Sequence, residues 1–128
     1  STLDRSSAAS DVYKRQVDNE SYIDMATAIS GSGPAYLFAF TEALTDAALS
    51  LGIEPEIALN LVIGTIAGSS MLMEGNNLSP SRLREMVTSP GRNTAAALAT
   101  LNEANFHGLV QAAAFAAYER AQALGREA

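Results

Sequence analysis

The chain has 128 residues and a formal net charge of −6, with no cysteine, no tryptophan and a single histidine, His107. This length suffices for one domain with a real core, since a chain of this size buries about two-thirds of the surface its unfolded form exposes, and it is too short for two full domains. Without cysteine there is no disulfide, thiolate nucleophile or cysteine zinc site, and one histidine gives no basis for a histidine metal centre or triad, so no metal is expected.

The charge is placed against a nucleic-acid partner. From Val17 onward five arginines face twelve acids, and the only lysine is Lys14, whereas phosphate backbones are bound by clusters of Lys and Arg. No stretch reaches 18 residues without a polar break, so a membrane partner is not expected. The start of the chain lacks the apolar core of a signal peptide, which points to a cytoplasmic protein.

Residues 1–16, "STLDRSSAASDVYKRQ", have no apolar periodicity and hold three of the eight basic residues. They read as a non-native scar or a disordered tail without chemistry. Residues 17–128 form the expected domain. "NESYID", which opens it, reads as a helical turn rather than a buried strand. From Pro34 to Leu51, Ala35, Phe38, Leu44, Ala48 and Leu51 recur at helical spacing, with Glu42 and Asp46 a turn apart on a solvated face. Gly52 ends that helix.

Pro55 opens a second long helix, running to about Glu74 and apolar almost all round; such a helix must be covered on every side. Ser79 as N-cap and Pro80 at the first helical position announce a shorter one, with Leu83, Met86 and Val87 as its buried stripe. After "TSPGRNT" a helix is expected over Thr94 to Asn102. A last one runs from about Glu103 to Leu124, with Phe106, Leu109, Val110, Ala113, Ala117 and Leu124 on one stripe. No alternating β-branched run is bounded by turns, so the fold class is all-α. The apolar helix and the small face of Gly64, Ala67 and Gly68 predict an interlocked helical homodimer, in which a second copy covers that helix.

Two glycine-containing stretches are candidate sites. "SGSGP", Ser30 to Pro34, fails as a dinucleotide fingerprint because the third glycine position is Tyr36 and no hydrophobic strand precedes it; it also fails as a P-loop, for want of a Lys-Ser or Lys-Thr pair. It reads as a flexible joint between two helices. "VTSPGRNTAAAL", Val87 to Leu98, leaves one helix at Thr88 and enters the next near Thr94. The free N–H groups of that entrance, with Ser89, Thr94 and Arg92, could hold a small anion. The alternative is a plain connecting turn capped by Asn93 or Thr94.

Together, "AISGSGPAYLFAFTEALTDAALSLGI" and "MVTSPGRNTAAALATLNEANF" closely resemble the C-terminal half of the pyrroline-5-carboxylate reductase family, over about Asp24 to Gly125. The resemblance implies an interlocked helical dimerisation domain of the 6-phosphogluconate-dehydrogenase-like type, often assembled further into rings. It implies reduction of 1-pyrroline-5-carboxylate to L-proline, the last step of proline biosynthesis, by hydride from NADPH or NADH. The cofactor would sit mainly on an N-terminal Rossmann domain, of which this sequence has no strand–glycine-loop–helix unit, so the chain is expected to be an inactive fragment by itself. By the same resemblance the loop of Ser89, Gly91, Arg92, Asn93 and Thr94 receives the substrate carboxylate, and Ser30, Gly31, Ser32, Gly33 and Pro34 lie near the cofactor. No catalytic residue is assigned; Ser32 and Thr94 are the positioning candidates.

This sequence departs from the family pattern at two places. Arg92 and Asn93 follow Gly91 where the family has a second glycine and then a small residue or Thr, so Arg92 either bears a backbone cost or assists the carboxylate. "GNNLSP" replaces a His-Pro step, and Glu74 is taken as the nearby acidic residue. His107 reads as an ordinary surface or capping residue. Competing readings are a helical oligomerisation module without catalysis, and the helical half of a related two-domain dehydrogenase.

Overall fold

A computed structural model describes residues 19–127, all of whose regular elements are helical. The expected tail at residues 1–16 lies outside the described residues. In chain order the elements are α1 (Asn19–Ala26), a π-helical turn (Thr27–Gly31), α2 (Gly33–Leu51), α3 (Pro55–Glu74), α4 (Pro80–Met86), α5 (Asn93–Glu103) and α6 (Phe106–Glu127). Two compact units arise, one of residues 19–32 with 80–127 and the other of Gly33–Ser79. The all-α expectation holds among the described residues.

The second unit is a hairpin of α2 on α3. Gly52, at φ +103°, takes the left-handed conformation that ends α2, with Ile53 N–H donating to Ala48 O at 3.1 Å. Pro55 then stands in the first turn of α3, where a missing N–H leaves no acceptor without a partner. Ala58 and Val62 are the buried residues of α3, and Val62 shares a shallow groove with Leu44, Ala48 and Leu51 of α2. Beyond α3, Asn76 works as a clasp: its side-chain amide donates to Leu72 O, and its Oδ1 accepts from Leu78 N–H at 2.7 Å.

In the first unit the π-turn packs on α1 and α6, and α5 packs on α6. Ala28 of the π-turn is its buried centre, 3% exposed. The helical reading of "NESYID" is therefore right, and α5 falls within one residue of its expected bounds.

Three expectations need correction. The last helix does not start at Glu103: that residue ends α5, and Asn105 at φ +57° breaks the chain before Phe106. Asparagine is among the few residues that adopt this conformation readily, and its carbonyl accepts from Leu109 N–H at 2.9 Å to begin α6. Secondly, of the stripe read for α6 its own chain covers only Ala117. Phe106, Leu109, Val110, Ala113 and Leu124 are exposed, while Ala114 and Tyr118, outside that stripe, are half-buried. Thirdly, in α4 only Leu83 is half-buried; Met86 is exposed, and Val87 is exposed and lies past the helix end. Periodicity locates an apolar face but does not say which neighbour covers it.

Apolar surface is left open along both units. Leu51 is 83% exposed, Met71 72% and Phe38 67%. Within α3, Leu61, Ile63 and Leu72 are all more than half exposed. By length and composition α3 would also qualify to cross a membrane, although Asn60, Thr65, Ser69 and Ser70 interrupt its apolar run.

Candidate functional site

The Ser89–Thr94 loop begins where α4 ends. Thr88 turns its hydroxyl back onto Arg84 O at 2.6 Å and so belongs to the end of the helix, not to an open site. Pro90 and Gly91 then occupy the two corners of a tight turn, closed by Arg92 N–H donating to Ser89 O at 3.2 Å. Gly91 has φ +68° at the second corner, the type II pattern that glycine favours.

Arg92 is the N-cap of α5, at φ −107° and ψ −174°. This removes the backbone cost expected of Arg92, because the left-handed position is Gly91 and the residue after it is extended. It also corrects the capping alternative. Asn93 and Thr94 are the first two residues inside the helix, and no side chain caps it. The first intrahelical bond runs from Ala96 N–H to Arg92 O at 3.1 Å. Asn93, Thr94 and Ala95 therefore bring N–H groups without intrahelical acceptors to one small entrance. Peptide dipoles make that entrance favourable for negative charge, and the exposed Arg92 stands at its rim.

The second candidate stretch lies between two helices, as expected of a joint, and it begins in a hydrogen-bonded turn. Thr27–Gly31 forms a π-turn, in which Ser32 N–H donates to Thr27 O, five residues back, at 2.8 Å. The Ser30 hydroxyl donates to Ala26 O at 2.9 Å. A Cβ on Gly31 would stand 3.3 Å from Thr27 Cγ2, so the ring closes tightly over that threonine. Gly33 and Pro34 open α2. The boundary between the two units falls between Ser32 and Gly33, which places Ser30, Gly31 and Ser32 in the same unit as Ser89–Thr94.

Two further features of that unit carry no marked sequence signal. Met25, Ala28, Ile29, Ala114, Phe115 and Tyr118 line an apolar groove of about 340 Å³. Arg84, Asn102 and His107, from three different helices, line a second groove together with Leu98, Leu101 and Phe106. Tertiary packing brings Arg84 to residues 98–107, and residues 25–29 to residues 114–118. Glu42 and Asp46 are exposed on α2, and Glu74 is the exposed last residue of α3.

All-helical units with wide apolar faces define a helical assembly domain, and the entrance of α5 has no side-chain cap. Residues 20–124 match the family described as pyrroline-5-carboxylate reductase dimerisation, and the chain belongs to that family. It is 44% identical over 122 residues to pyrroline-5-carboxylate reductase of Mycobacterium tuberculosis, spanning 82% of this chain and 41% of that protein. To the Pseudomonas aeruginosa enzyme it is 39% identical over 111 residues, spanning 87% and 41%. Among solved structures, the Coxiella burnetii reductase superposes with a TM-score of 0.81 at 40% identity, over 84% of this chain and 40% of that one. The Plasmodium falciparum reductase, solved with NADP bound, gives 0.80 at 38% identity, over 85% and 41%. The chain thus spans about two-fifths of the length of the relatives it matches.

Proposed function

We propose that this chain is the dimerising and substrate-binding half of an enzyme that reduces 1-pyrroline-5-carboxylate to L-proline. The observation that carries the reading is the α5 entrance. Gly91 makes the turn, Arg92 stays extended, and the N–H groups of Asn93, Thr94 and Ala95 are left for an acceptor. Such an entrance favours an anion, which the substrate's carboxylate supplies, and the exposed Arg92 adds a cation at its rim.

Hydride addition to a cyclic imine needs a hydride donor, a proton for the ring nitrogen and an anchor that fixes the imine carbon. The Ser89–Thr94 loop supplies the anchor, and fixing the substrate is a large part of the rate advantage available to an enzyme. NADPH or NADH would supply the hydride. The described residues hold no strand and hence no strand–glycine-loop–helix unit, so they do not fit a dinucleotide's main binding site. We assign that site to a Rossmann domain in the remaining part of the enzyme's length. Ser30–Pro34 borders the nicotinamide from the helical side, and residues 1–16 take no part in the chemistry.

The same reading makes the chain half of an interlocked homodimer, able to build larger rings, in a cytoplasmic enzyme. A second copy covers α3 better than lipid does, because Glu56, Asn60, Ser69 and Ser70 interrupt its apolar surface.

The test joins the upstream coding sequence to Val17 and measures NADPH oxidation that depends on 1-pyrroline-5-carboxylate. An upstream frame without a dinucleotide-binding domain would sink the reading. In the joined enzyme, Thr94→Ala and Arg92→Gly should each raise KM for the carboxylate substrate several-fold. Unchanged kinetics in both would reduce the loop to a connecting turn.

A further inference from the structure

We propose that the Ser30 hydroxyl is a positioning group: it fastens the π-turn that sets the Gly31–Ser32 backbone, rather than contacting a ligand itself. The inference rests on the placing of Ser30–Pro34 beside the reacting centre.

A π-helix bonds to the carbonyl five residues back instead of four, and such single turns are frequent at functional sites. Here the extra residue moves the Ser32 N–H off the carbonyl of Ala28, its α-helical partner, and onto Thr27 O at 2.8 Å. The Ser32 amide is thereby turned away from the direction a continuous helix would give it.

Two local hydrogen bonds hold that register. One is the Ser32 bond itself. The other is Ser30 Oγ donating to Ala26 O at 2.9 Å, which ties the last turn of α1 across the start of the wider ring. Gly31 leaves free the space beside Thr27 that a side chain would crowd, since an added Cβ would stand 3.3 Å from Thr27 Cγ2. Below them Ala28 is buried against α6, so the ring has a fixed floor. Ser30 is exposed, and its hydroxyl is directed back along its own helix.

Threonines at positions 41, 65, 88 and 100 make the same bond to the carbonyl four residues back. A threonine at position 30 can therefore replace the serine, whereas alanine cannot. This gives an internal control that a general loss of helix stability would not mimic.

The first arm uses the 128-residue chain and follows amide hydrogen exchange by NMR. Ser30→Ala should speed exchange at Ser32 roughly fivefold to tenfold, the loss expected of one modest hydrogen bond. Val62, in the other unit, should be unchanged, and Ser30→Thr should exchange as the parent does. The second arm uses the enzyme joined to its upstream domain: Ser30→Ala should lower kcat with KM for the carboxylate substrate unchanged, and Ser30→Thr should restore it. Parent-like exchange at Ser32 in Ser30→Ala, or a threonine variant that behaves like alanine, overturns the proposal. An inactive joined parent would overturn the reductase reading and leave the exchange result to decide the role of Ser30.

Discussion

Gly91 and Arg92 show how much of a site one dihedral angle can decide. At φ +68° Gly91 carries the whole reversal of the loop, so its neighbour can be an arginine without strain. A Cβ at Gly91 would meet nothing within 4 Å, so the effect of Gly91→Ala is conformational and not steric. It should cost about 1–2 kcal/mol, seen as a lower thermal midpoint of the chain and, in the joined enzyme, a raised KM. A midpoint equal to the parent's would mean that the turn has a second conformation of similar energy. Among the described residues, Asn105 is the one with positive φ that is not glycine. Its side chain lies over Gly108, where a Cβ would collide with the carboxamide, and no periodic pattern announces such a break. Reading Glu103–Leu124 as one helix missed it because asparagine inside a helical pattern carries only a weak penalty.

Along the elements, what could be read was existence and type. Pro34, Pro55 and Pro80 each stand in a first turn, and Gly52 follows a last one, as proline and glycine chemistry requires. Less legible was the face each helix buries. Val62, at 5% exposure, is the most enclosed large side chain of the α2–α3 hairpin. Val62→Ala should destabilise that hairpin by about 2 kcal/mol through lost packing and a small cavity, measured as a shift of the urea midpoint with unchanged slope. Leu61→Ala, at a neighbouring position more than half exposed in the protomer, should do less to a dilute monomer and more to an assembled one. The π-turn was invisible in "TAISGSGP" for another reason: its glycines and serines allow a joint, and only the packing of Ala28 and the bonds of Ser30 and Ser32 select a wide helical ring.

For the whole molecule, glycines 64 and 68 give the sharpest test of assembly. A Cβ at either would meet nothing within 4 Å in its own chain. In a lone protomer Gly64→Ala and Gly68→Ala should therefore stabilise α3, each by roughly 0.5–1 kcal/mol. In an interlocked dimer where a second backbone approaches that face, the sign reverses. We expect sedimentation of the parent chain to show a dimer or larger, and the double variant to dissociate more readily with a lower thermal midpoint. A well-folded parent monomer, or a variant stabilised at every concentration, contradicts the interlocking.

By itself the sequence determined the helical class, nearly all the helix starts, the two candidate stretches and the family, because these rest on local chemistry: proline at first turns, glycine where φ is positive, apolar residues at helical spacing. Tertiary structure alone decided that Arg92 is an unstrained N-cap, that SGSGP begins in a bonded π-turn, that Asn105 divides the last two helices, and which faces remain open. Each of these depends on a backbone angle or a neighbour from a distant part of the chain, and neither is encoded in the spacing of residue types.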